Sequence, residues 1–513
     1  MVPKGVVAAG HEATVQAAEQ ILREGGNAFD AIVAAHFAAC VAEPVLASLG
    51  GGGFLLAAPA AGRPRVYDFF AHTPVHRRPS GELDFRPIVA DFGTATQEFH
   101  IGLGTVATPG ALRGMAAIHA DLCSLPLREL IAPAIDLARA GVTLNRLQAY
   151  IFGVVAPIYT ATPEARAIYG HPDRRARLIG EAQTLYQPQL ADTLEAIAAE
   201  GPELFYRGEI ARAIVHAAEK GGGLLSGDDL EGYRVVRRPV LELGYRSGRI
   251  MTNPPPSSGG ILIAFALELL KSVDPGVLGF GSPAYLRLLA GVLGLSNRAR
   301  LEALAEGRAE AVLDPAYLER YRREILGRAA SLRGTTHISV IDAPGNLASM
   351  TVSNGEGCGH LVPGTGIMLN NMLGEQDLNP GGFHRWRENQ RMSSMIAPTM
   401  VRFPDGTRVA TGSGGSNRIR SALLQVLINL LDFGVGVEAA VTRPRIHVEG
   451  RRLSVEGGFD PAAVEALLRD YPEHDVWEGL NLFFGGAHTV LEGPDRLEGV
   501  GDPRRGGVGR VVY

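Results

Sequence analysis

Two short alternating segments near the middle of the chain limit its fold more than any other feature. Residues 337–342 (HISVID) and 347–353 (LASMTVS) are joined by Pro344-Gly345-Asn346. Alternation of apolar and polar residues around such a turn predicts an antiparallel strand pair, with Thr351 and Ser353 on one face. The stretch from about 125 to 325 reads as mostly helical, in segments such as LPLRELIAPAIDLARAG and ILIAFALELLKS, interrupted by the strand-like VLELGYRSGRIMTN. Before it, residues 11–24 and about 28–43 read as helices separated by Gly25-Gly26, with Asn27 as the second cap. FLLAAP and RVYDFF read as strands. After the hairpin come strand-like GIMLNN, PTMVRF and RVATGS, the helical RSALLQVLINLLDFG, and strands near RIHVEG and RLSVEG. Helices first and strands last fit a layered fold of helices and sheets better than a helical bundle.

Composition narrows the function classes. A net charge of -5 gives no basic surface, so no nucleic-acid partner is expected. Cys40, Cys123 and Cys358 form no CxxC pair, which argues against a disulfide framework or a zinc site. The longest apolar run, residues 31–41, is too short to span a bilayer and predicts a buried helix, so no membrane partner is expected. The first residues lack the apolar stretch of a signal peptide. The expectation is a cytoplasmic protein, or a periplasmic or secreted one if the start site is mis-assigned.

Just before the hairpin stands Gly334-Thr335-Thr336-His337. A Thr hydroxyl needs a base to become a nucleophile. Cleaving the chain before the Thr would supply one, because a freed α-amine titrates near pH 8 and is partly neutral at pH 7.5. The plainer reading is a turn with strand-entry threonines. Ser353 could orient that amine or be an ordinary strand residue. Ser393 and Ser394 offer two hydroxyls beside a Pro turn, or simply satisfy a loop. Thr411-Gly412-Ser413-Gly414-Gly415-Ser416-Asn417-Arg418 reads as a Gly-rich strand-to-helix turn able to bind an oxyanion through backbone N–H groups. It lacks the ending of a phosphate-binding P-loop. Gly50 to Gly53 most simply mean close backbone packing.

Taken in order over nearly the whole chain, these segments resemble the gamma-glutamyltranspeptidase family of N-terminal-nucleophile hydrolases. Gly25-Gly26-Asn27-Ala28-Phe29-Asp30-Ala31, Leu49-Gly50-Gly51-Gly52-Gly53-Phe54 and Val106-Ala107-Thr108-Pro109-Gly110 carry the likeness. So do Pro254-Pro255-Pro256-Ser257-Ser258-Gly259-Gly260, Leu369-Asn370-Asn371, Ser393-Ser394-Met395 and Asp502-Pro503-Arg504. The resemblance implies an α+β fold, a four-layer αββα sandwich built jointly by two subunits from one self-cleaved precursor. The cut would fall between Gly334 and Thr335, giving a helix-rich large subunit, 1–334, and a small catalytic subunit, 335–513, each the other's partner. It implies no cofactor and no metal. Thr335 would attack a γ-glutamyl amide such as that of glutathione, and water or an amino acid would take the acyl group. Ser353 would orient Thr335, Gly415 and Ser416 would supply the oxyanion N–H groups, and Ser393 and Ser394 would contact substrate.

This chain departs from the family pattern in the acyl pocket. An Arg that grips the glutamyl α-carboxylate falls at Phe70, within Asp68-Phe69-Phe70-Ala71. Phe cannot make that bidentate contact. His72 or Arg418 could supply a replacement cation. An Asn expected after the hairpin falls at Gly355, beside Asn354, while Glu375 keeps an acid for the substrate ammonium group. The segment between Glu375 and Ser393 is too short for the lid of some members. Two further readings stay open: an amidase or acylase whose substrate lacks the α-carboxylate, and an inactive ligand-binding scaffold.

Overall fold

The computed structural model describes residues 2–91, 96–172, 174–305, 312–314, 318, 335–379 and 381–513. Gly334, on one side of the expected cut, lies outside them. The hairpin forms as its alternation dictates: Thr336–Asp342 pairs antiparallel with Leu347–Ser353, Thr336 opposite Val352 and His337 opposite Thr351. It is the centre of a seven-stranded sheet. From one edge the order is Val236–Pro239, Arg65–Phe69, Gly52–Ala58, Leu347–Ser353, Thr336–Asp342, Gly5–Ala9 and Val508–Val512. All neighbours are antiparallel. Strands from before and after position 335 therefore interleave.

A six-stranded antiparallel sheet runs Leu241–Tyr245, Gly248–Thr252, Thr399–Arg402, Arg408–Gly414, Gly486–Gly493 and Arg496–Val500. Side-chain alternation assigns the faces. Val6, Ala8, Phe54, Leu56, Ile341 and Leu347 join a core that includes Met400, Val409, Ala410 and Val490 of the six-stranded sheet. Their alternates Val7, Ala9, Leu55, Ile338, Ala348 and Met350 pack with helices Glu12–Arg23 and Ala28–Ala42. Ala28–Ala42 is buried along its whole length, which its many alanines permit. Helices Ser258–Leu270, Pro283–Ala305 and Arg418–Leu431 share the core of the six-stranded sheet. The architecture is mixed α+β.

The four-glycine run is packed as its plainer reading holds. A Cβ at Gly51 or Gly53 would overlap the carbonyl oxygens of Ser353 or Thr351, and one at Gly50 would sit 2.6 Å from Met368 O. Two sequence expectations need correction. GIMLNN is no strand: Met368 and Leu369 make only isolated bridges, because the chain turns through Gly364 and Gly366 at positive φ. The following Asn370 then binds the backbone of Gly50 and Ala107 through its side chain. The helical stretch also contains the short strand pairs Val142–Thr143 with Thr184–Leu185 and Gly170–His171 with Arg174–Leu178. Among the described residues no helix is long and apolar enough to cross a membrane.

Candidate active site

Thr335 immediately precedes its strand and is 3% exposed. Continuing the hairpin register by one residue sets it opposite Ser353, which pairs with Gly52 on its other side. Ser353 Oγ accepts from Gly355 N at 3.0 Å. Thr336 points the other way: its hydroxyl donates to Glu43 Oε2 at 2.9 Å, and Glu43 Oε1 accepts from Thr14 at 2.9 Å. The Thr335 carbonyl accepts from Arg505 Nη1 at 3.0 Å. A Cβ at Gly414 would overlap that carbonyl oxygen, so only glycine lets the second sheet approach so closely.

His337 is no base for Thr335. Its two ring nitrogens face the hydroxyls of Thr351 at 2.7 Å and Ser339 at 2.8 Å. Burial, with His488 nearby, pushes it well below the usual imidazole range, so it is neutral. Ser339 continues to His488 O at 3.1 Å and Ser349 to Thr411 O at 3.1 Å, which ties the two sheets together through polar groups.

The strand Arg408–Gly414 leads into the Gly-rich turn. Gly415 has φ +118° and Ser416 φ +48°, and the turn closes with Arg418 N donating to Gly415 O at 3.0 Å and Ile419 N to Ser416 O at 2.9 Å. A non-glycine residue in the left-handed region is strained, a common mark of functional turns. Ser416 Oγ donates to Asp377 Oδ2 at 3.2 Å. Helix Arg418–Leu431 starts here, so the turn's backbone N–H groups lie at its positive end. Arg418 is engaged in packing: Nε donates to Phe483 O at 2.9 Å, and the guanidinium lies 5.1 Å from that ring's centre. Burial beside Arg505 lowers it to about 9.

On the acyl side, Pro254–Gly260 has a clear task. Ser258 Oγ lies 2.9 Å from Ser393 Oγ, while Ser257 Oγ at 2.9 Å and Ser258 N at 2.8 Å donate to Ser394 O. Ser394 Oγ accepts from Ile396 N at 3.1 Å. Gly355 (φ +63°) abuts both Asn371 and Glu375; a side chain at 355 would overlap Asn371 Oδ1 and Glu375 Oε1. Asn371 Oδ1 accepts from Glu356 N at 2.8 Å, and Asn354 Nδ2 reaches Met368 O at 3.5 Å. Glu375 is 4% exposed.

Phe70 is 1% exposed and stacks on Phe54 at 5.6 Å in the core that also holds Met372, Leu373, Met392 and Met395. The backbone around it is fixed: Phe70 O accepts from Tyr233 OH at 2.7 Å and from Arg391, and Asp68 pairs with Arg238 at 2.8 Å and Arg391 at 3.4 Å. His72 exchanges backbone hydrogen bonds with Thr108, and burial beside Arg391 lowers its basicity. Sequence reasoning assigned nothing to Arg505, Glu43 or Asp377. The first adjoins the closing Asp502-Pro503-Arg504 segment, but its reach to Thr335 O spans 170 positions. Among the described residues no three His, Cys, Asp or Glu side chains are grouped to hold a metal.

With this geometry in view, the chain compares with known proteins over nearly its full length. A family model described as Gamma-glutamyltranspeptidase matches residues 14–512. The Acylase ACY 1 proenzyme of Pseudomonas sp. (strain V22) is 33% identical over 493 residues, covering 91% of this chain and 86% of that protein. The Glutathione hydrolase proenzyme of Escherichia coli (strain K12) is 30% identical over 536 residues, covering 98% and 90%. The crystal structure of cephalosporin acylase from Bacillus halodurans superposes with a TM-score of 0.85 at 25% identity, covering 100% of this chain and 96% of that one. The chain belongs to the gamma-glutamyltranspeptidase family.

Proposed function

We propose that this protein is a self-processing amide hydrolase of the acylase type, acting through Thr335 on an acyl group that it does not grip by an α-carboxylate. The chain cuts itself between Gly334 and Thr335, and the pieces 1–334 and 335–513 share one αββα sandwich. The freed α-amine of Thr335 takes the hydroxyl proton as Oγ attacks the substrate carbonyl. The N–H groups of Gly415 and Ser416 receive the developing oxyanion. The amine returns the proton to the leaving nitrogen, and water or an acceptor amine then releases the acyl group from Thr335. Ser353 orients the nucleophile; Ser393 and Ser394 hold the substrate. The register, the Gly414 contact and the turn geometry support these roles.

One observation carries the acyl preference: Phe70 is buried on Phe54, where the resemblance calls for an Arg. Losing a charge-assisted hydrogen bond is worth roughly 1.5–3 kcal/mol. The test compares γ-glutamyl, glutaryl and 4-aminobutyryl p-nitroanilides. The last keeps the amine and lacks the carboxylate, so it should be hydrolysed within about tenfold of the first in kcat/KM, since each tenfold is about 1.4 kcal/mol. A preference of about 100-fold or more for γ-glutamyl would overturn this reading in favour of glutathione-type hydrolysis. That second reading has its own support in Glu375, an acid buried against Asn371 and Gly355 where a substrate ammonium group would be received.

A further inference from the structure

Arg505 ends the short turn Pro503–Arg505 and is 5% exposed. Its Nη1 donates to the Thr335 carbonyl at 3.0 Å, and its Nη2 to Leu482 O at 3.4 Å. Glycines make room for it. A Cβ at Gly414 would lie 3.2 Å from Nη1, one at Gly415 3.4 Å from Nη2, and one at Gly486 would overlap its aliphatic stem. The guanidinium thus binds the nucleophile's own carbonyl and lies beside the first residue of the oxyanion turn. A cation fixed on the carbonyl of Thr335 is also within a few ångströms of the nitrogen of the same residue, because the two atoms are three bonds apart.

We propose that Arg505 is a positioning residue for Thr335, clamping its carbonyl to the oxyanion turn and, through its charge, keeping the freed α-amine neutral and able to act as the base. The inference rests on the Thr335 mechanism given above. A positive neighbour disfavours a protonated amine, so its pKa falls. The other charged or titratable groups placed around Arg505 are Glu43 at the end of helix Ala28–Ala42, Glu356 after the hairpin and Asp502 in its own turn. Among the described residues, Arg418 on the following helix and His488 of the six-stranded sheet also face it, and His11 lines the same cavity as Arg505 and Glu43. The three carboxylates oppose the effect of Arg505 and Arg418 adds to it, while His488, lowered to about 4, is neutral.

The experiment uses the mature protein and whichever of the three p-nitroanilides is hydrolysed fastest. Arg505→Gln removes the charge and Arg505→Lys keeps it. The acid limb of the kcat/KM profile should move up by about one pH unit in the Gln variant and stay within about 0.3 unit in the Lys variant. A merely structural anchor would lower kcat and melting temperature in both without moving the limb. A folded, cleaved Gln variant with an unmoved limb overturns the proposal and leaves the Thr335 mechanism standing. Should the Gln variant not fold, an acid limb shifted up by a full unit in the Lys variant overturns it as well. Wild-type protein that never yields a chain beginning at Thr335 removes the underlying mechanism instead.

Discussion

Around Thr335 the two sheets meet through hydroxyls, neutral imidazoles and backbone carbonyls; around Phe70 the packing is of rings and methionines. Both regions belong to one seven-stranded sheet, and both are almost wholly buried. The first is specified atom by atom, since each buried polar group needs a partner at hydrogen-bond distance. The second is specified by volume, and volume tolerates exchange of one apolar group for another. On the proposed function, such a molecule could keep Thr335 in place while the packing around Phe70 changes to suit a different acyl group.

That contrast can be broken from either side. The largest effect is expected from Thr335→Ala, which should run as one band of 54.4 kDa on a denaturing gel. Its turnover should fall by about 10⁴-fold or more, as for loss of other nucleophiles. Wild type should give two bands, the smaller beginning Thr-Thr-His-Ile-Ser; an intact wild-type chain after long incubation near neutral pH would count decisively against self-processing. On the other side, Phe70→Ala should cost about 3–5 kcal/mol in denaturant unfolding, the range for emptying a buried aromatic site. A loss under about 1 kcal/mol would mean that Phe70 is not the packed element described.

Acid attacks the Thr335 side through its buried imidazoles. Burial lowers His488 to about 4 and holds His337 well below the usual imidazole range, against about 6.5 in an unfolded chain. The unfolded state then binds more protons, so the contribution is complete above about pH 6.5 and is lost as pH falls toward 4. For His488 alone this amounts to about 3 kcal/mol. The melting temperature should fall steadily over that window, and a flat profile from pH 6.5 to 4 would show these imidazoles to be solvated. Next in size, Gly414→Ala should push the Thr335 carbonyl away and slow both the cut and turnover by about 100-fold, the scale of a 1 Å misplacement. Normal rates in that variant would mean the sheets can part without cost. Smallest in stability is Ser353→Ala, at about 0.5–1.5 kcal/mol. Its maturation should nonetheless be slower than wild type, and equal band intensities over a time course would deny Ser353 an orienting role.

The hairpin, the helices flanking Gly25-Gly26 and the Gly-rich turn were legible because each is set by neighbours a few residues apart. The strand Gly5–Ala9 and the edge strand Val508–Val512 were not, since a segment of five residues becomes a strand only by finding partners remote in sequence. The same limit hid Arg505, whose partner is remote in sequence. Gly355 is instructive in a different way. Its missing side chain reads as a lost substrate contact, yet Asn371 and Glu375 already fill the space where that side chain would go. Phe70 was visible as a departure, but only the stack on Phe54 reveals that it is held inside the core.

The interleaved strands have a consequence for endurance. Gly5–Ala9 lies between Thr336–Asp342 and Val508–Val512, and Gly248–Thr252 is zipped to Thr399–Arg402. If the chain is cut before Thr335 as proposed, the two pieces could not drift apart without tearing both sheets. They would also have lost the tether that first brought them together. Recovery after melting would become an encounter between two molecules, slower with every dilution, and the working lifetime would be set by how rarely the sheets open.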